Sequence, residues 1–325
     1  MVKLDIITGF LGAGKTTLIN KLLRECWQEE RPVLIENEFG DVPIDTALIA
    51  DPDIQIKLLA SGCICCSLKG SFVQGITQVV ETYHPQRILI EPTGLADLED
   101  VLSACAQASE QIPLEVNSVI TVVNGENLLP LLDVGGPFFR RQVEHARFAL
   151  VSCAQLCTSE DLREVRDKIR EINPQCPILA EDWEKLDGLA ITAAAEEATA
   201  RYARTHGQGD AQFPPTPEPH DHDHHHSHSD ADAFTALPFF PRRRFSEAEL
   251  VALLSGLEDA ALGQVFRAKG FLTLESGARV LAEYVYGKSS RLPTGYTGRD
   301  RFVVIGRGLD AQALSALVEG VRKEP

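Results

Sequence analysis

An eight-residue glycine-rich segment near the start of the chain, GFLGAGKT at residues 9–16, constrains the fold more than any other feature. A β-branched apolar run at residues 4–8 precedes the segment, and an amphipathic stretch at residues 16–28 follows it. A strand, a G-x-x-x-x-G-K-[ST] loop and a helix in this order are typical of a phosphate-binding loop, whose backbone N–H groups surround nucleotide phosphates. The segment therefore predicts a nucleoside triphosphate site, and a chance glycine-rich turn is the alternative.

Two side chains of the loop have specific tasks in this prediction. We expect the Lys15 ammonium to reach the β and γ phosphates and the Thr16 hydroxyl to bind Mg²⁺. The glycines allow the backbone to approach the phosphates closely and to adopt positive φ angles.

The first 194 residues alternate short apolar runs with longer amphipathic stretches. This alternation predicts βα units and a mostly parallel sheet, so the fold class is α/β with a P-loop domain at residues 1–194. The strand-like runs lie at residues 4–8, 33–35, 87–90, 118–123, 148–151 and 177–179, and the helical stretches at 16–28, 68–82, 96–107 and 159–172.

The composition changes after this domain. Residues 195–241 are rich in Ala, Glu, Pro and His, and they predict a flexible linker because they offer little apolar surface to offset the entropy of ordering. Residues 242–325 return to a globular composition and predict a small C-terminal α+β domain. Its strand-like runs lie near residues 263–274, 279–286 and 301–305, and a helix is expected at 310–322.

Charge and length exclude several classes of protein. The 325 residues carry 31 Lys and Arg against 47 Asp and Glu, a net charge of -16, which argues against a nucleic-acid partner. The N-terminal stretch lacks the pattern of a secretion signal, and nowhere do 18 apolar residues run together, so we expect no membrane partner and a soluble, cytoplasmic protein. Neighbouring cysteines in that compartment are metal ligands or reactive groups more often than disulfides.

A second acidic motif follows the apolar run at residues 87–90. That run places Glu91 at the end of a strand, and the sequence continues as Pro92-Thr93-Gly94. Glu91 could contact Mg²⁺ through water or orient the attacking water, and Gly94 could bring a backbone N–H near the γ-phosphate. A surface glutamate at a strand end is the alternative.

Three of the eight cysteines lie within four residues, at Cys63, Cys65 and Cys66. They precede a predicted helix, whose N-terminus lowers the pKa of thiols, and thiolates bind Zn²⁺ or Cu⁺ in preference to Mg²⁺. Three sulfurs leave one tetrahedral position open, which suits transfer of a metal better than a permanent structural site. Buried or redox-active thiols without metal are the alternative, and the other five cysteines are expected to be ordinary core or surface residues.

Six of the nine histidines lie in residues 220–228, interleaved with aspartates. A flexible run of imidazoles offers overlapping ligand sets for Zn²⁺, Ni²⁺, Co²⁺ and Cu²⁺. The run therefore indicates metal capture or buffering, and a merely solvated linker is the alternative.

Together with the phosphate loop, three further motifs stand in a recognisable order: ENEFG at residues 36–40, GCICC at 62–66 and EPTG at 91–94. In these motifs the chain resembles the CobW-like P-loop GTPases. That family is related to the nickel-insertion GTPases and is associated with delivery of zinc or cobalt. The segment VFRAKGF at residues 265–271 resembles the start of the family's C-terminal domain, and the histidine run stands where many members carry one.

The resemblance implies roles for individual residues. Cys63, Cys65 and Cys66 would bind the transported metal, with Glu36, or more weakly Asp41, completing its ligand shell. Glu38 would face Mg²⁺ or the attacking water, although an acidic loop can also be an ordinary solvated turn. The nucleotide, GTP in this family, would bind at six consecutive residues of the loop and helix: Gly12, Ala13, Gly14, Lys15, Thr16 and Thr17.

One departure from the family concerns the base. Members carry Asn-Lys-x-Asp after the strand that here occupies residues 148–151, and the Asp pairs with two guanine donors. This chain has Ser-Cys-Ala-Gln at residues 152–155, so Gln155 offers one neutral carbonyl and no carboxylate is left. We expect weaker guanine selectivity, because a charge-assisted bidentate pair is lost. Asn124, where the family often has Asp, is a second departure.

Three functions fit these motifs to different extents. The first is a nucleotide-hydrolysing metallochaperone that couples hydrolysis to metal delivery to an unknown client metalloprotein. The second is a metal-binding storage or regulatory protein with a degenerate nucleotide site. The third, a small-molecule kinase, accounts for the phosphate loop but not for the thiols or the histidines.

Overall fold

The computed structural model describes residues 1–10, 12–30, 32–36, 55–58, 69–92, 94, 98–206 and 234–320. These residues divide into two compact units, one ending at His206 and the other beginning at Phe234. Glu38, Asp41, the cysteine cluster and the histidine run lie outside the described residues.

The first unit contains a seven-stranded sheet in the order β3-β2-β4-β1-β5-β6-β7, and every neighbouring pair of strands is parallel. The prediction of a mostly parallel α/β sheet is therefore confirmed. The strands are β1 (Val2–Gly9), β2 (Val33–Glu36), β3 (Gln55–Leu58), β4 (Arg87–Glu91), β5 (Leu114–Asn124), β6 (Phe148–Ser152) and β7 (Ile178–Leu179). The helices are α1 (Lys15–Glu25), α2 (Lys69–Tyr83), α3 (Leu98–Ser109), α4 (Leu128–Glu144), α5 (Ser159–Ile172) and α6 (Gly188–His206).

Both faces of the central strands are covered by helices. Because side chains alternate between the faces of a strand, Leu4 and Ile6 of β1 join one apolar cluster and Ile7 joins another. The first cluster includes residues of α2 and α3, and the second includes residues of α1 and α6. Burial on both sides explains why these strands read as nearly continuous apolar runs in the sequence.

Three elements of this unit differ from the sequence-based expectation. The strand β3 and the helices α4 and α6 were not predicted. The sequence of α4 contains Pro130, Gly135, Gly136 and Pro137, all poor helix formers. Its helical conformation depends on packing, since Leu128, Leu131, Phe139 and Val143 are buried.

The second unit contains a five-stranded antiparallel sheet in the order β11-β10-β9-β12-β8. Its three predicted strands are present, and β8, β11 and α7 were not predicted. The elements are β8 (Phe234–Phe239), α7 (Glu247–Gly256), β9 (Gln264–Thr273), β10 (Arg279–Val285), β11 (Lys288–Pro293), β12 (Arg301–Arg307) and α8 (Ala311–Glu319).

The expected linker at residues 195–241 differs from the structure at both ends. Helix α6 continues to His206, because Ala195, Ala198 and Thr199 are buried along one side of it. Strand β8 begins at Phe234 and pairs with β12. An alanine-rich stretch with few large apolar residues can still pack closely on a sheet, and composition alone did not reveal this.

No helix in the described part of the chain is both long and apolar enough to span a lipid bilayer.

Candidate nucleotide and metal site

The phosphate loop connects the end of β1 to the start of α1 through backbone conformations that require glycine. Gly9 has a φ of 132°, and a Cβ atom there would lie 2.1 Å from the Val122 carbonyl oxygen. Gly12 has a φ of 73°, and Gly14, with a φ of 100°, directly precedes α1. The loop thus ends at a helix N-terminus, where unpaired backbone N–H groups favour an anion.

Lys15 lies over the start of this loop. Its ammonium donates hydrogen bonds to the carbonyl oxygens of Gly9, at 3.0 Å, and Phe10, at 3.2 Å. The side chain is only 6% exposed, so the positive charge is held within the loop. This placement suits the predicted contact with the β and γ phosphates.

The first turn of α1 meets the end of β4. The Thr16 hydroxyl lies 3.3 Å and 3.4 Å from the two carboxylate oxygens of Glu91, to which it donates. A hydroxyl and a carboxylate are the hard oxygen ligands that Mg²⁺ prefers, so these residues fit the ion predicted for this position. Thr17, the next residue, is exposed, and Gly94 is buried three residues beyond Glu91.

Glu36 and Glu91 lie side by side at the ends of neighbouring strands. They pair in the parallel register of β2 and β4, and they are 2% and 8% exposed. The candidate ligand of the transported metal therefore adjoins the candidate residue of the nucleotide site. The other predicted ligands, Cys63, Cys65 and Cys66, lie outside the described residues.

The remaining cysteines show no sign of a second metal site. Within the described part of the chain, no three His, Cys, Asp or Glu side chains are grouped so that they could hold a metal ion. Burial raises the pKa of Cys105 and of Cys176 to about 12, so both thiols stay protonated at neutral pH. Burial also raises the pKa of Cys26. Cys153 and Cys157 are partly exposed.

The carboxyl end of β6 also contacts the phosphate loop. The buried Ser152 hydroxyl donates to the Ala13 carbonyl oxygen at 2.6 Å, and it lies 3.4 Å from the Val123 carbonyl oxygen. Ser152 therefore ties β6 to the phosphate loop, a role that the sequence analysis missed. A small hydroxyl residue at the end of a buried strand was the only available signal.

The turn after Ser152 presents Gln155 at the surface. Cys153 adopts a left-handed conformation with a φ of 57°, and a 3-10 turn follows at Ala154–Leu156. Gln155 is exposed within this turn, where its amide could meet a base. Asn124 lies nearby, with its amide nitrogen 3.6 Å from the Cys153 sulfur.

An aromatic residue that the sequence analysis did not select packs against the same loop. A Cβ atom added to Gly14 would lie 3.4 Å from Cη2 of Trp183 and 3.5 Å from Cβ of Ser152. Trp183 is 5% exposed and belongs to the apolar cluster that contains Ala13 and Leu18. The indole thus supports the last turn of the phosphate loop.

A parallel sheet whose first strand leads through a GxxxxGKT loop into a helix defines a P-loop nucleoside triphosphatase domain. The chain belongs to the CobW/HypB/UreG family: residues 3–180 match its nucleotide-binding domain, and residues 234–322 match the cobalamin synthesis protein cobW C-terminal domain. The resemblance drawn from the four motifs is therefore confirmed.

Several curated relatives and one solved structure are similar to this chain. The chain is 28% identical over 188 residues to the zinc chaperone YeiR of Escherichia coli, covering 58% of this chain and 57% of YeiR. It is 37% identical over 126 residues to the zinc chaperone CobW of Sinorhizobium sp, covering 37% of this chain and 35% of that protein. The matched segments thus span less than two thirds of either relative. The structure of Zn(II)-bound YjiA GTPase from E. coli aligns over 99% of both chains, with a TM-score of 0.43 and 19% identity.

Proposed function

We propose that this protein is a nucleotide-hydrolysing metallochaperone. It binds GTP with Mg²⁺, and it binds a transition metal, zinc or else cobalt, at Cys63, Cys65, Cys66 and Glu36. Hydrolysis of the nucleotide is coupled to release of the metal to a client protein.

The observation that carries this proposal is the pairing of Glu36 with Glu91. Glu91 contacts Thr16 of the nucleotide site, and Glu36 occupies the next strand in direct register. Adjacent strands lie only about 5 Å apart, so a change in ligands at one strand end alters the surroundings of the other. The proposed metal and nucleotide sites therefore have a short physical connection through which hydrolysis can reshape metal binding.

The chain's own residues account for the proposed hydrolysis by positioning and charge. Lys15 and the loop N–H groups bind the phosphates, and Glu91 and Glu38 hold or orient the attacking water. Gly94 offers a backbone N–H to the γ-phosphate. Thr16 would hold Mg²⁺ together with the nucleotide, and the ion would neutralise negative charge on the phosphates.

Zinc is the favoured cargo because the curated relatives YeiR and CobW are named zinc chaperones. Three thiolates and one carboxylate also suit the coordination chemistry of zinc. The histidine run at residues 220–228 would raise the local concentration of the metal near this protein.

The test compares two double cysteine variants. Cys65→Ser/Cys66→Ser removes two proposed ligands, whereas Cys26→Ser/Cys157→Ser removes two partly buried thiols outside the cluster. We expect the first variant to lose one tightly bound Zn²⁺ per chain and the zinc dependence of GTP turnover, and the second to keep both. Equal zinc binding and zinc-dependent turnover in the two variants would contradict the proposal.

A storage or regulatory protein with a degenerate nucleotide site is the second candidate. The absence of a carboxylate in the turn at residues 152–157 favours it, whereas the contact between Thr16 and Glu91 favours an active site. Turnover of GTP and ATP, each with and without Zn²⁺, separates the candidates. Binding without hydrolysis of either nucleotide would support the second.

A further inference from the structure

One face of α4 contacts both loops that would surround the triphosphate. The Phe139 ring lies against Phe10 of the phosphate loop, with ring centroids 4.0 Å apart. One turn further along, the Gln142 side-chain amide donates to the Gly94 carbonyl oxygen at 2.9 Å. Gln142 is 8% exposed, so water competes little for this hydrogen bond.

The same face also contacts the first turn of α3. His145, three residues after Gln142, lies 3.3 Å from Glu99 in the first turn of α3. Residues three apart on a helix are neighbours on its surface, so Gln142 and His145 lie on the same face. This face thus contacts both Gly94 and the beginning of α3.

We infer that Gln142 is a positioning residue for the loop that senses the γ-phosphate, an inference that rests on the proposed function. A hydrogen bond to the Gly94 carbonyl restricts rotation of the adjoining peptide group and limits the positions that Gly94 can take. Gly94 is then held ready to offer its N–H to the γ-phosphate, and less entropy is lost when the triphosphate binds.

Loss of the Gln142–Gly94 contact and loss of the Phe139–Phe10 contact should weaken the binding of different nucleotides. Gly94 interacts with the γ-phosphate, which only the triphosphate has, so loss of the Gln142 hydrogen bond weakens triphosphate binding selectively. Phe10 belongs to the phosphate loop, which binds diphosphate and triphosphate alike. Phe139, three residues from Gln142 on the same helix, is therefore the matched control position.

The experiment measures the affinities of the full-length protein for GDP and for a non-hydrolysable GTP analogue, both with Mg²⁺. Gln142→Met keeps the length of the side chain but removes the donor. We expect it to weaken analogue binding about tenfold, the factor that corresponds to ~1.4 kcal/mol, and to leave GDP binding unchanged. Phe139→Leu should change both affinities by the same factor.

A second variant covers the case in which Gln142→Met does not fold. In Gln142→Glu the carboxylate faces the carbonyl oxygen without a donor, and only its protonated form can restore the hydrogen bond. The preference of this variant for the analogue over GDP, compared with that of the wild type, should therefore recover as the pH is lowered from 8 to 6. A purely structural defect would not produce this recovery.

Two results would overturn this inference without affecting the proposed function. In the first, both Gln142 variants retain the wild-type preference for the analogue over GDP. In the second, both variants lose analogue binding and GDP binding by the same factor. A wild-type protein that binds neither nucleotide would instead overturn the proposed function, and this inference with it.

Discussion

Ser152 and Gln155 lie in the turn after β6 that we propose to face the base, and we expect them to act on different parts of nucleotide binding. Ser152 is buried and donates to the Ala13 carbonyl oxygen of the phosphate loop, whereas Gln155 is exposed at the position proposed to meet the base. Substitutions at these two positions should therefore separate affinity for the phosphates from selectivity for the base.

Ser152→Ala should weaken binding of GTP and ATP by the same factor. The variant leaves the Ala13 carbonyl oxygen without its 2.6 Å donor, a loss of about 1–2 kcal/mol that relaxes the phosphate loop shared by both nucleotides. Isothermal titration with each nucleotide measures the effect. Ser103→Ala is the control, because the Ser103 hydroxyl is buried and has no hydrogen-bond partner among the described residues. A change in the ratio of GTP to ATP affinity would contradict the assignment.

Gln155→Asp should raise the preference for GTP over ATP about tenfold. A carboxylate at this exposed position can accept both guanine donors, and charge-assisted pairs are roughly twice as strong as neutral ones. Competition between GTP and ATP for the purified protein measures the preference. Gln155→Asn has the same shape as the aspartate without its charge, so an equal gain in that variant would argue against base recognition at residue 155.

At the scale of elements, β1 and β4 are joined near their amino ends by a buried ion pair. Arg87 binds Asp5, and its Nε atom also donates to Glu30 at 2.6 Å. Asp5 is 1% exposed and accepts a 2.6 Å hydrogen bond from the Ser118 hydroxyl as well. These contacts fix the two strands whose other ends carry the phosphate loop and Glu91.

Arg87→Met should destabilise the first unit by about 3–5 kcal/mol, because it leaves the buried Asp5 carboxylate without its cation. Chemical denaturation followed by tryptophan fluorescence measures this, since Trp27 and Trp183 both lie in the first unit. Asp5→Asn/Arg87→Met should recover much of the loss, because the uncompensated charge is gone. Equal destabilisation by the single and double variants would contradict this explanation.

The destabilisation of Arg87→Met should also depend on pH. Burial raises the pKa of Asp5 above its ordinary 3.8, and removal of Arg87 eliminates an interaction that lowers it. A raised pKa means that the folded state binds the proton more tightly, so stability falls as the pH rises from 3.8 through the higher value. The difference from wild type should be smaller at pH 4 than at pH 7, and a constant difference would contradict this assignment.

The sequence predicted the elements that have strong periodicity and missed those that depend on packing. Short, nearly continuous apolar runs were enough for β1, β4 and β6, and the glycine spacing was enough for the phosphate loop. Helix α4 was missed because its prolines and glycines oppose a helix locally, and α6 was missed because its alanines form no stripe of large apolar residues. Both helices are defined by contacts with distant parts of the chain.

The candidate site shows the same division. Lys15, Thr16 and Glu91 could be selected from motifs, since their residue types and spacing carry the chemistry. Ser152 and Gln142 could not, because their importance comes from hydrogen bonds to backbone atoms more than 45 positions away in the chain. Such contacts are visible only once the strands and helices are assembled.

For the molecule as a whole, global charge and local chemistry point in opposite directions. The net charge of -16 opposes broad binding to anions, yet the phosphate loop favours phosphate through backbone N–H groups and one lysine. We therefore keep the prediction that this protein binds a nucleotide at the phosphate loop rather than nucleic acid over a broad surface.

In the proposed function, nucleotide state and metal affinity are coupled. The most direct test is the Zn²⁺ affinity of the full-length protein with Mg²⁺ and GDP compared with a non-hydrolysable GTP analogue. We predict that the Zn²⁺ affinities of the two nucleotide states differ by about five- to hundredfold. Because coupling is reciprocal, binding of Zn²⁺ should change the ratio of analogue affinity to GDP affinity by the same factor. Cys65→Ser/Cys66→Ser should abolish the difference, and identical Zn²⁺ affinities in the two nucleotide states of the wild-type protein would contradict the claim.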